Sequence, residues 1–177
     1  MYLLPNLITI SNFTCGVLSI FAVLFSDIDA AILFIILGML FDLLDGTVAR
    51  KFHAVSDFGK ELDSLSDIVT FCVAPSLLVY SVSLYQLSLI GLLATLSFSI
   101  CGLIRLARFN VEQSRLSTFI GMPAPLAAFC LLAMTFVFDP VILALGTCLL
   151  AYLMVSGVKF PHFKNNGDKR EIKNGAS

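Results

Sequence analysis

Six apolar stretches separated by short polar turns make up most of this chain and constrain its fold more than any other feature. A helix needs about 20 mostly apolar residues to cross a bilayer. Inside the hydrocarbon no water is present, so a spanning segment must satisfy its backbone hydrogen bonds internally, as a helix does. We therefore predict an all-α integral membrane protein with about six transmembrane helices.

The predicted helices cover residues 7–25, 30–50, 57–82, 84–110, 126–138 and 140–158. Only 13% of the residues are charged, whereas a soluble domain carries about 25%. A length of 177 residues suits one domain of several helices. We expect residues 1–158 to form a single transmembrane domain and residues 159–177 to form a polar cytoplasmic tail.

The basic residues all lie near one set of helix ends. Three flank the loop after the second predicted helix, three flank the loop after the fourth and five follow the sixth, which accounts for all 11 Lys and Arg. The opposite loops carry Asp27, Asp29 and Asp139 instead. Because basic loops stay on the cytoplasmic side, we expect both termini in the cytoplasm and the protein in the cell membrane. The net charge of −1 argues against a nucleic-acid partner.

Four aspartates interrupt these apolar helices: Asp42 and Asp45 in the second, and Asp63 and Asp67 in the third. Each charged side chain in a membrane helix costs at least ~2.5 kcal/mol. Spacings of three and four residues put each pair on one helix face. With a rise of ~1.5 Å per residue, both pairs lie at similar depth below the intervening loop. We expect one cavity, open to the cytoplasm, in which these oxygens bind divalent cations.

Two other interpretations of the four aspartates are possible. A buried ion-pair network would need cations in comparable number, and the helices offer only Arg105 and Arg108 at useful depth. A divalent-cation transporter is an alternative of a different class, since intramembrane acids also mark ion paths. The C-terminal half contains no second acidic pair, which argues against a transporter built from repeats.

The stretch 42–67 resembles the signature of the CDP-alcohol phosphotransferase family, DxxDGxxAR followed after eight residues by GxxxDxxxD. The matching positions are Asp42, Asp45, Gly46, Ala49, Arg50, Gly59, Asp63 and Asp67. The resemblance implies that an alcohol attacks a CDP-linked lipid and that CMP leaves. It implies two divalent metal ions, Mg²⁺ or Mn²⁺, held by the four aspartates, with Asp67 also as general base. It further implies a homodimer.

The small residues of the signature have two interpretations. Gly46, Ala49 and Gly59 leave room for the nucleotide of the CDP-lipid if the ligand approaches the helix backbone. Small residues also serve helix packing in membranes. With the whole signature present, the nucleotide-facing role is preferred. Arg50 is expected to meet a phosphate or a neighbouring acid, although it also suits an anchor at the membrane face.

Three further segments resemble the branch of the family that uses serine as its acceptor: LPNLITISN at 4–12, RLARFN at 105–110 and FIGMPAPLAA at 119–128. They imply CDP-diacylglycerol as the donor and L-serine as the acceptor. Members that make phosphatidylglycerol phosphate or an inositol lipid are the alternative. Asn6 and Thr9, one helical turn apart, are expected to contact the CDP-lipid. Capping and helix–helix hydrogen bonds are their other possible roles.

Arg105, Arg108 and Asn110 lie near the end of the fourth predicted helix and are candidate ligands for serine or phosphate. A guanidinium group binds either anion as a fork, so the arginines do not by themselves distinguish serine from glycerol phosphate. Anchoring at the membrane face is the simpler role of the two arginines. Asn110 equally suits a cap of the helix end.

Overall fold

The computed structural model describes residues 3–51, 56–112 and 121–156, and every regular element in these ranges is helical. The α-helices are α1 (Leu3–Leu24), α2 (Ile28–Lys51), α3 (Asp57–Asp67), α4 (Ala74–Val82), α5 (Leu89–Glu112), α6 (Ala124–Thr135) and α7 (Pro140–Val155). A π-helical segment, Ile68–Val73, joins α3 to α4 without a break, and a 3₁₀ turn, Leu84–Leu87, precedes α5. The predicted all-α class is confirmed. The predicted tail, 159–177, lies outside the described residues.

Four helical segments are long and apolar enough to cross a membrane: Pro5–Leu24, Ile28–Val48, Asp57–Val82 and Leu89–Val111. They are typical of an integral membrane protein. Helices α6 and α7 are apolar but have only 12 and 16 residues. At ~1.5 Å per residue they reach about 18 and 24 Å, less than the ~30 Å hydrocarbon core. Six crossings with both termini in the cytoplasm therefore stay a prediction.

Helix α5, which corresponds to the fourth predicted helix, begins at Leu89. The prediction that this helix begins at residue 84 is wrong. The chain first makes the 3₁₀ turn and then breaks at Ser88, which has a positive φ of 48°. Gly91 lies directly against the carbonyl group of Leu84, where a Cβ atom would overlap the oxygen. A glycine at this position thus permits the tight turn that separates α4 from α5.

Helix α6, which corresponds to the fifth predicted helix, ends at Thr135, three residues before its predicted end. The N–H groups of Val137 and Phe138 both turn back to the carbonyl oxygen of Met134. Pro140 disfavours helical backbone at the residue before it and is well suited to the first turn of the next helix. The chain therefore turns between Thr135 and Pro140 rather than extending α6.

Helices α1 and α2 form an antiparallel pair that packs along its length. The turn between them is short because Asp27 Oδ1 accepts a hydrogen bond from the Ala30 N–H group at 3.0 Å and caps α2. Helix α1 also packs against the Asp57–Val82 span, and α5 packs against α7. The N-terminal pair thus holds one side of the helix that carries Asp63 and Asp67.

The apolar core has two parts. The larger cluster joins α2, α4, α5, α6 and α7 through fully buried side chains that include Ile35, Leu78, Phe98, Leu131 and Leu143. The smaller cluster contains Phe71, Cys72, Leu106, Ala124 and Ala128. The first residue of this smaller cluster, Phe71, follows Asp67 by four residues. A packed apolar layer therefore lies next to Asp67, about one helical turn further along the chain.

Two glycines allow α1 and α2 to approach the π-helical segment closely. A Cβ atom on Gly16 would lie 2.5 Å from Thr70 Oγ1 and 3.0 Å from the Thr70 Cα atom. A Cβ atom on Gly38 would lie 2.5 Å from Thr70 Cγ2. Since the Gly16 contact involves backbone, a side chain rotation cannot relieve it, and the helices would have to separate.

Gly16→Leu is therefore expected to destabilise the protein by about 1–3 kcal/mol, the usual cost of overpacking. Gly46→Leu is the matched control, because no described atom lies within 4 Å of a Cβ atom there. Both changes raise helix propensity equally, so the difference between them measures packing. The midpoint of thermal unfolding in detergent is the readout. A Gly16→Leu protein as stable as the Gly46→Leu protein would contradict the close packing.

Candidate active site

The structure brings the four aspartates of α2 and α3 together. One carboxylate oxygen from each of Asp42, Asp63 and Asp67 lies within 4.8 Å of the other two. Asp45 lies beside Asp63 and is 6% exposed. Helix α1 packs against both α2 and α3, and the spacing within each pair puts its two aspartates on one helix face, so the two pairs meet beside α1. This group of four is called the acidic cluster below.

Helix α1 supplies hydrogen bonds to two members of the acidic cluster. The hydroxyl group of Thr9 donates to Asp45 Oδ2 at 2.8 Å. The amide nitrogen of Asn12 donates to Asp67 Oδ1 at 3.2 Å. Both donors are buried. Helix α1 thus contacts one acid from each pair and lies behind the cluster.

No ion pair neutralises the acidic cluster among the residues whose side chains the structure describes. The one ion pair there joins Lys60 to Asp57 at 3.2 Å, on the exposed start of α3. The side chains of Arg50 and Lys51 lie outside the described set. The ion-pair network considered from the sequence is therefore not seen in the described part of the site.

The donor set fits a divalent cation. Asp63 Oδ1 is buried and has no hydrogen-bond partner in the described part of the chain. A buried acceptor without a partner costs about 1–3 kcal/mol, and more when it is charged. Carboxylate oxygens in a close group are the ligands that hard cations take. The acidic cluster can therefore hold a metal ion.

The small residues of the signature differ in their surroundings. Apart from the backbone of its own helix and its chain neighbours, a Cβ atom on Gly46 would meet no atom of the described residues within 4 Å, so no described helix packs against this position. Gly59 lies near the start of α3, where its N–H group donates to the capping Ser56 Oγ at 3.0 Å. The backbone of Ala49 and Arg50 belongs to the last turns of α2. Their side chains lie outside the described residues, so their roles stay predictions.

Asn6 and Thr9 occupy one face of α1, as their spacing predicts. Asn6 is partly buried, and its Oδ1 atom lies 3.3 Å from the position of a Cβ atom on Gly59. Thr9 is 3% exposed, and its hydroxyl group lies 3.1 Å from the Pro5 carbonyl oxygen as well as against Asp45. Thr9 therefore contacts an acid, while Asn6 lies beside a glycine of the signature.

The two arginines of α5 have different surroundings. Arg105 is partly buried, experiences the negative charge of Asp67, and lies 5.8 Å from the ring centroid of Phe109. Its Nε atom is buried and has no hydrogen-bond partner among the described residues. Arg108 is exposed, and its Nη1 atom donates to the Val155 carbonyl oxygen at 3.1 Å. Arg105 thus interacts electrostatically with Asp67, whereas Arg108 binds the last turn of α7.

Asn110 connects α5 to α3. Its Oδ1 atom accepts from Ser64 Oγ at 2.9 Å, and its Nδ2 atom donates to Glu61 Oε2 at 3.2 Å. Both polar ends of its amide group are thus engaged within the protein. The structure places Asn110 in a helix–helix contact near the site and does not bring it into the acidic cluster.

Asn12 is not among the site residues predicted from the sequence, yet the structure places it against Asp67. A signal was present in the spacing. Asn6, Thr9 and Asn12 follow one another at three-residue intervals, which puts three polar side chains on one face of an apolar helix. Polar side chains within membrane helices commonly face the protein interior.

Named relatives are similar to this chain over most of its length. A relative from Bacillus subtilis, named CDP-diacylglycerol–serine O-phosphatidyltransferase, is 57% identical over 166 residues, which cover 94% of each chain. A relative of the same name from Methanocaldococcus jannaschii is 38% identical, over 93% of this chain and 80% of its own length. An archaetidylserine synthase from Methanothermobacter thermautotrophicus is 35% identical, over 93% and 72%.

The family comparison extends over nearly the whole described region. The family model of CDP-alcohol phosphatidyltransferases matches residues 2–158, which include all four members of the acidic cluster. The resemblance carried by the signature is thereby confirmed. With a matching family model across the chain, similar relatives and the signature acids gathered in one place, the chain belongs to the CDP-alcohol phosphatidyltransferase family.

Proposed function

We propose that this protein transfers the phosphatidyl group of CDP-diacylglycerol to the hydroxyl group of L-serine and releases CMP. The acidic cluster is the observation that carries the reaction class, because three of its carboxylates lie close together and the fourth, Asp45, interacts with Asp63, all on long apolar helices. The 57% identity with the Bacillus subtilis relative supports serine as the acceptor. The enzyme would be a CDP-diacylglycerol–serine O-phosphatidyltransferase.

Asp42, Asp45, Asp63 and Asp67 would hold two divalent ions, Mg²⁺ or Mn²⁺. The close carboxylate oxygens and the unpartnered Asp63 Oδ1 atom support this assignment. Bound ions of this kind polarise a phosphoryl oxygen and stabilise the attacking and leaving oxygens of a displacement. Thr9 and Asn12 of α1 donate hydrogen bonds to Asp45 and Asp67 and so limit the orientations of these two carboxylates.

Asp67 would also act as the general base. It accepts the proton of the serine hydroxyl group as the serine oxygen forms a bond to the lipid-linked phosphorus. The bond from that phosphorus to the CMP oxygen breaks, and CMP takes the electron pair. Asp67 is 8% exposed and holds a fixed hydrogen bond from Asn12. A base held in one orientation can stay within the ~3 Å reach that proton transfer needs.

Arg105 would bind the carboxylate group of serine. Its partly buried side chain interacts electrostatically with Asp67, and its Nε atom has no hydrogen-bond partner among the described residues. A guanidinium group matches a carboxylate in charge and in its pair of hydrogen bonds. Arg108 and Asn110 already bind α7 and α3 in the protein, so we assign them to support of the site rather than to the acceptor.

Asn6, Gly46 and Gly59 would lie along the nucleotide of the CDP-lipid, and Ala49 and Arg50 would complete this face. The position of a Cβ atom on Gly46 is open among the described residues, which supports this placement, because a glycine in a tight helix contact would be crowded at that position. Thr9 would not contact the nucleotide directly; it would act through Asp45, to which its hydroxyl group donates a hydrogen bond. The nucleotide therefore would run along the ends of α2 and α3 that lead away from the apolar core.

Gly46→Leu is expected to raise the KM for CDP-diacylglycerol about tenfold or more, because a Leu side chain occupies the space assigned to the nucleotide and steric conflicts cost about 1–3 kcal/mol. Steady-state kinetics with varied donor test this. The unfolding midpoint of the same protein is the control and should stay at or above the wild-type value. An unchanged donor KM would remove Gly46 from the nucleotide face.

We place the enzyme in the cell membrane as a homodimer, with its active site facing the cytoplasm. The basic residues at one set of helix ends support this orientation, since all 11 belong to that side. The dimer rests on the family resemblance.

The function is tested by CMP release from CDP-diacylglycerol by the purified protein with Mg²⁺ or Mn²⁺. Serine, glycerol phosphate, inositol and inositol phosphate are offered in parallel. Release that requires both serine and metal is the expected result. Release with another acceptor would overturn the choice of serine and leave the acidic cluster in place. No release with any acceptor would overturn the transferase.

A further inference from the structure

Asn12 is a fully buried polar residue on α1, with 0% of its surface exposed. Its Nδ2 atom lies 3.2 Å from Asp67 Oδ1. Since a carboxylate only accepts hydrogen bonds, the nitrogen end of the amide group must face Asp67. Asn12 thus approaches Asp67 from the side of α1, behind the acidic cluster.

The other polar atoms of Asn12 have different surroundings. Its Oδ1 atom is buried, has no hydrogen-bond partner in the described part of the chain, and lies 3.0 Å from the position of a Cβ atom on Gly38, where a side chain would crowd it. Its backbone carbonyl oxygen accepts from Thr70 Oγ1 at 3.1 Å. The bond from Thr70 thus holds the backbone of Asn12, and the close approach to Gly38 restricts rotation of the amide group.

Hydrogen bonds join α1 to the acid-bearing helix on both sides of Asp67. One residue before it, Ser66 Oγ donates to the Thr9 carbonyl oxygen at 3.2 Å. Three residues after it, Thr70 donates to Asn12. These two bonds set the position of α1 against the Asp57–Val82 span at the level of Asp67. These two side-chain-to-backbone hydrogen bonds hold the backbones of Asn12 and Asp67 close enough for the hydrogen bond between their side chains.

We propose that Asn12 is a positioning residue that holds the Asp67 carboxylate in the orientation needed for metal binding and transfer. This inference rests on the proposed function, in which Asp67 is a metal ligand and the base. Hydrogen-bond partners behind a metal ligand commonly contribute about 10–100-fold to metal affinity or activity. Asn12 acts through Asp67 and does not contact the substrates.

The test compares Asn12→Leu and Asn12→Ser with the wild-type protein. Leu fills a similar volume without a donor. Ser stays polar, but a helical hydroxyl bonds back to the carbonyl four residues earlier, as Ser11 does to Leu7 in α1. The Kd for Mn²⁺, measured by electron paramagnetic resonance without substrates, is expected to rise about tenfold or more, and kcat to fall about 10–100-fold. The KM for CDP-diacylglycerol at saturating metal should stay unchanged.

Ser19→Ala is the matched control. Ser19 is also fully buried on α1, and its Oγ atom donates to the Ala31 carbonyl oxygen at 2.9 Å. The change removes a buried helix–helix hydrogen bond two turns away from Asn12 without touching the acidic cluster. Its Mn²⁺ affinity and kcat are expected to match those of the wild-type protein.

Two results would overturn the positioning role. One is wild-type Mn²⁺ affinity and kcat in either folded Asn12 variant. The other is an equal loss in Ser19→Ala, which would mean that any weakening of α1 has this effect. The Mn²⁺ measurement needs no acceptor, so a failure of serine as the substrate is seen separately, in the CMP assay of the wild-type protein.

Discussion

Asp67→Asn is expected to abolish CMP release, lowering kcat by about 10³-fold or more. Loss of a general base alone typically costs 10²–10⁴-fold, and the same change removes a carboxylate from the metal-binding group. The amide has nearly the same shape, so the apolar layer beneath it, which begins at Phe71, stays packed. The effect should therefore be on chemistry rather than on folding. Initial rates at saturating donor, serine and Mn²⁺ are the measurement.

Asp57→Asn is the control for this prediction. It makes the same chemical change on the same helix, ten residues earlier, at a fully exposed position that pairs only with Lys60 in the described structure. Exposed ion pairs contribute little, so its turnover should equal that of the wild-type protein. Near-normal turnover by Asp67→Asn would remove Asp67 from the mechanism. Unfolding midpoints of both variants separate a catalytic loss from a folding defect.

Arg105→Met is expected to raise the KM for serine about 10–100-fold. Hydrogen bonds to charged groups contribute about 1.5–3 kcal/mol, and each 1.4 kcal/mol corresponds to a factor of ten. Methionine retains much of the apolar stem that packs near Phe109 but has no charge. The donor KM should change much less, because the proposed partner of Arg105 is the acceptor. Kinetics with serine and CDP-diacylglycerol varied separately provide the test.

Arg108→Met is the matched control, since it makes the same change one helical turn later on α5. Arg108 is exposed and bound to the Val155 carbonyl oxygen. We expect a small loss of stability, as α7 loses a hydrogen bond at its end, and an unchanged serine KM. An increase in serine KM for Arg108→Met alone would exchange the roles of the two arginines. An increase for both would restore the two-arginine site inferred from the sequence.

Much of the architecture could be predicted because it depends on local pattern. Long apolar stretches specify helices in a membrane, and the predicted helices between 7 and 82 agree with the structure to within a few residues. The predicted helix boundaries are wrong where tertiary contacts determine the end of a helix. The start of α5 depends on the close approach of Gly91 to Leu84. The sequence around Ser88 and in the π-helical Ile68–Val73 has no periodicity that distinguishes these segments from an α-helix.

The acidic cluster could also be predicted from local sequence pattern. The spacing within each pair of aspartates specifies a common helix face, and their equal depth follows from the helix rise. The two pairs then meet because α1 packs against both of the helices that carry them. For Arg105 and Arg108 the same spacing rule predicts a shared face, yet Arg105 is partly buried and interacts electrostatically with Asp67, whereas Arg108 is exposed and donates to Val155.

The sequence by itself determined the helical membrane class, the family and the four acids, because each depends on composition or on spacing along one chain segment. Only the tertiary structure decided which side chains stand behind those acids. Asn12 and Asp67 are far apart in sequence and meet because Gly16 and Gly38 let α1 and α2 approach the π-helical segment. Spacing specifies the face of a helix on which a residue lies, whereas packing decides which helix that face meets.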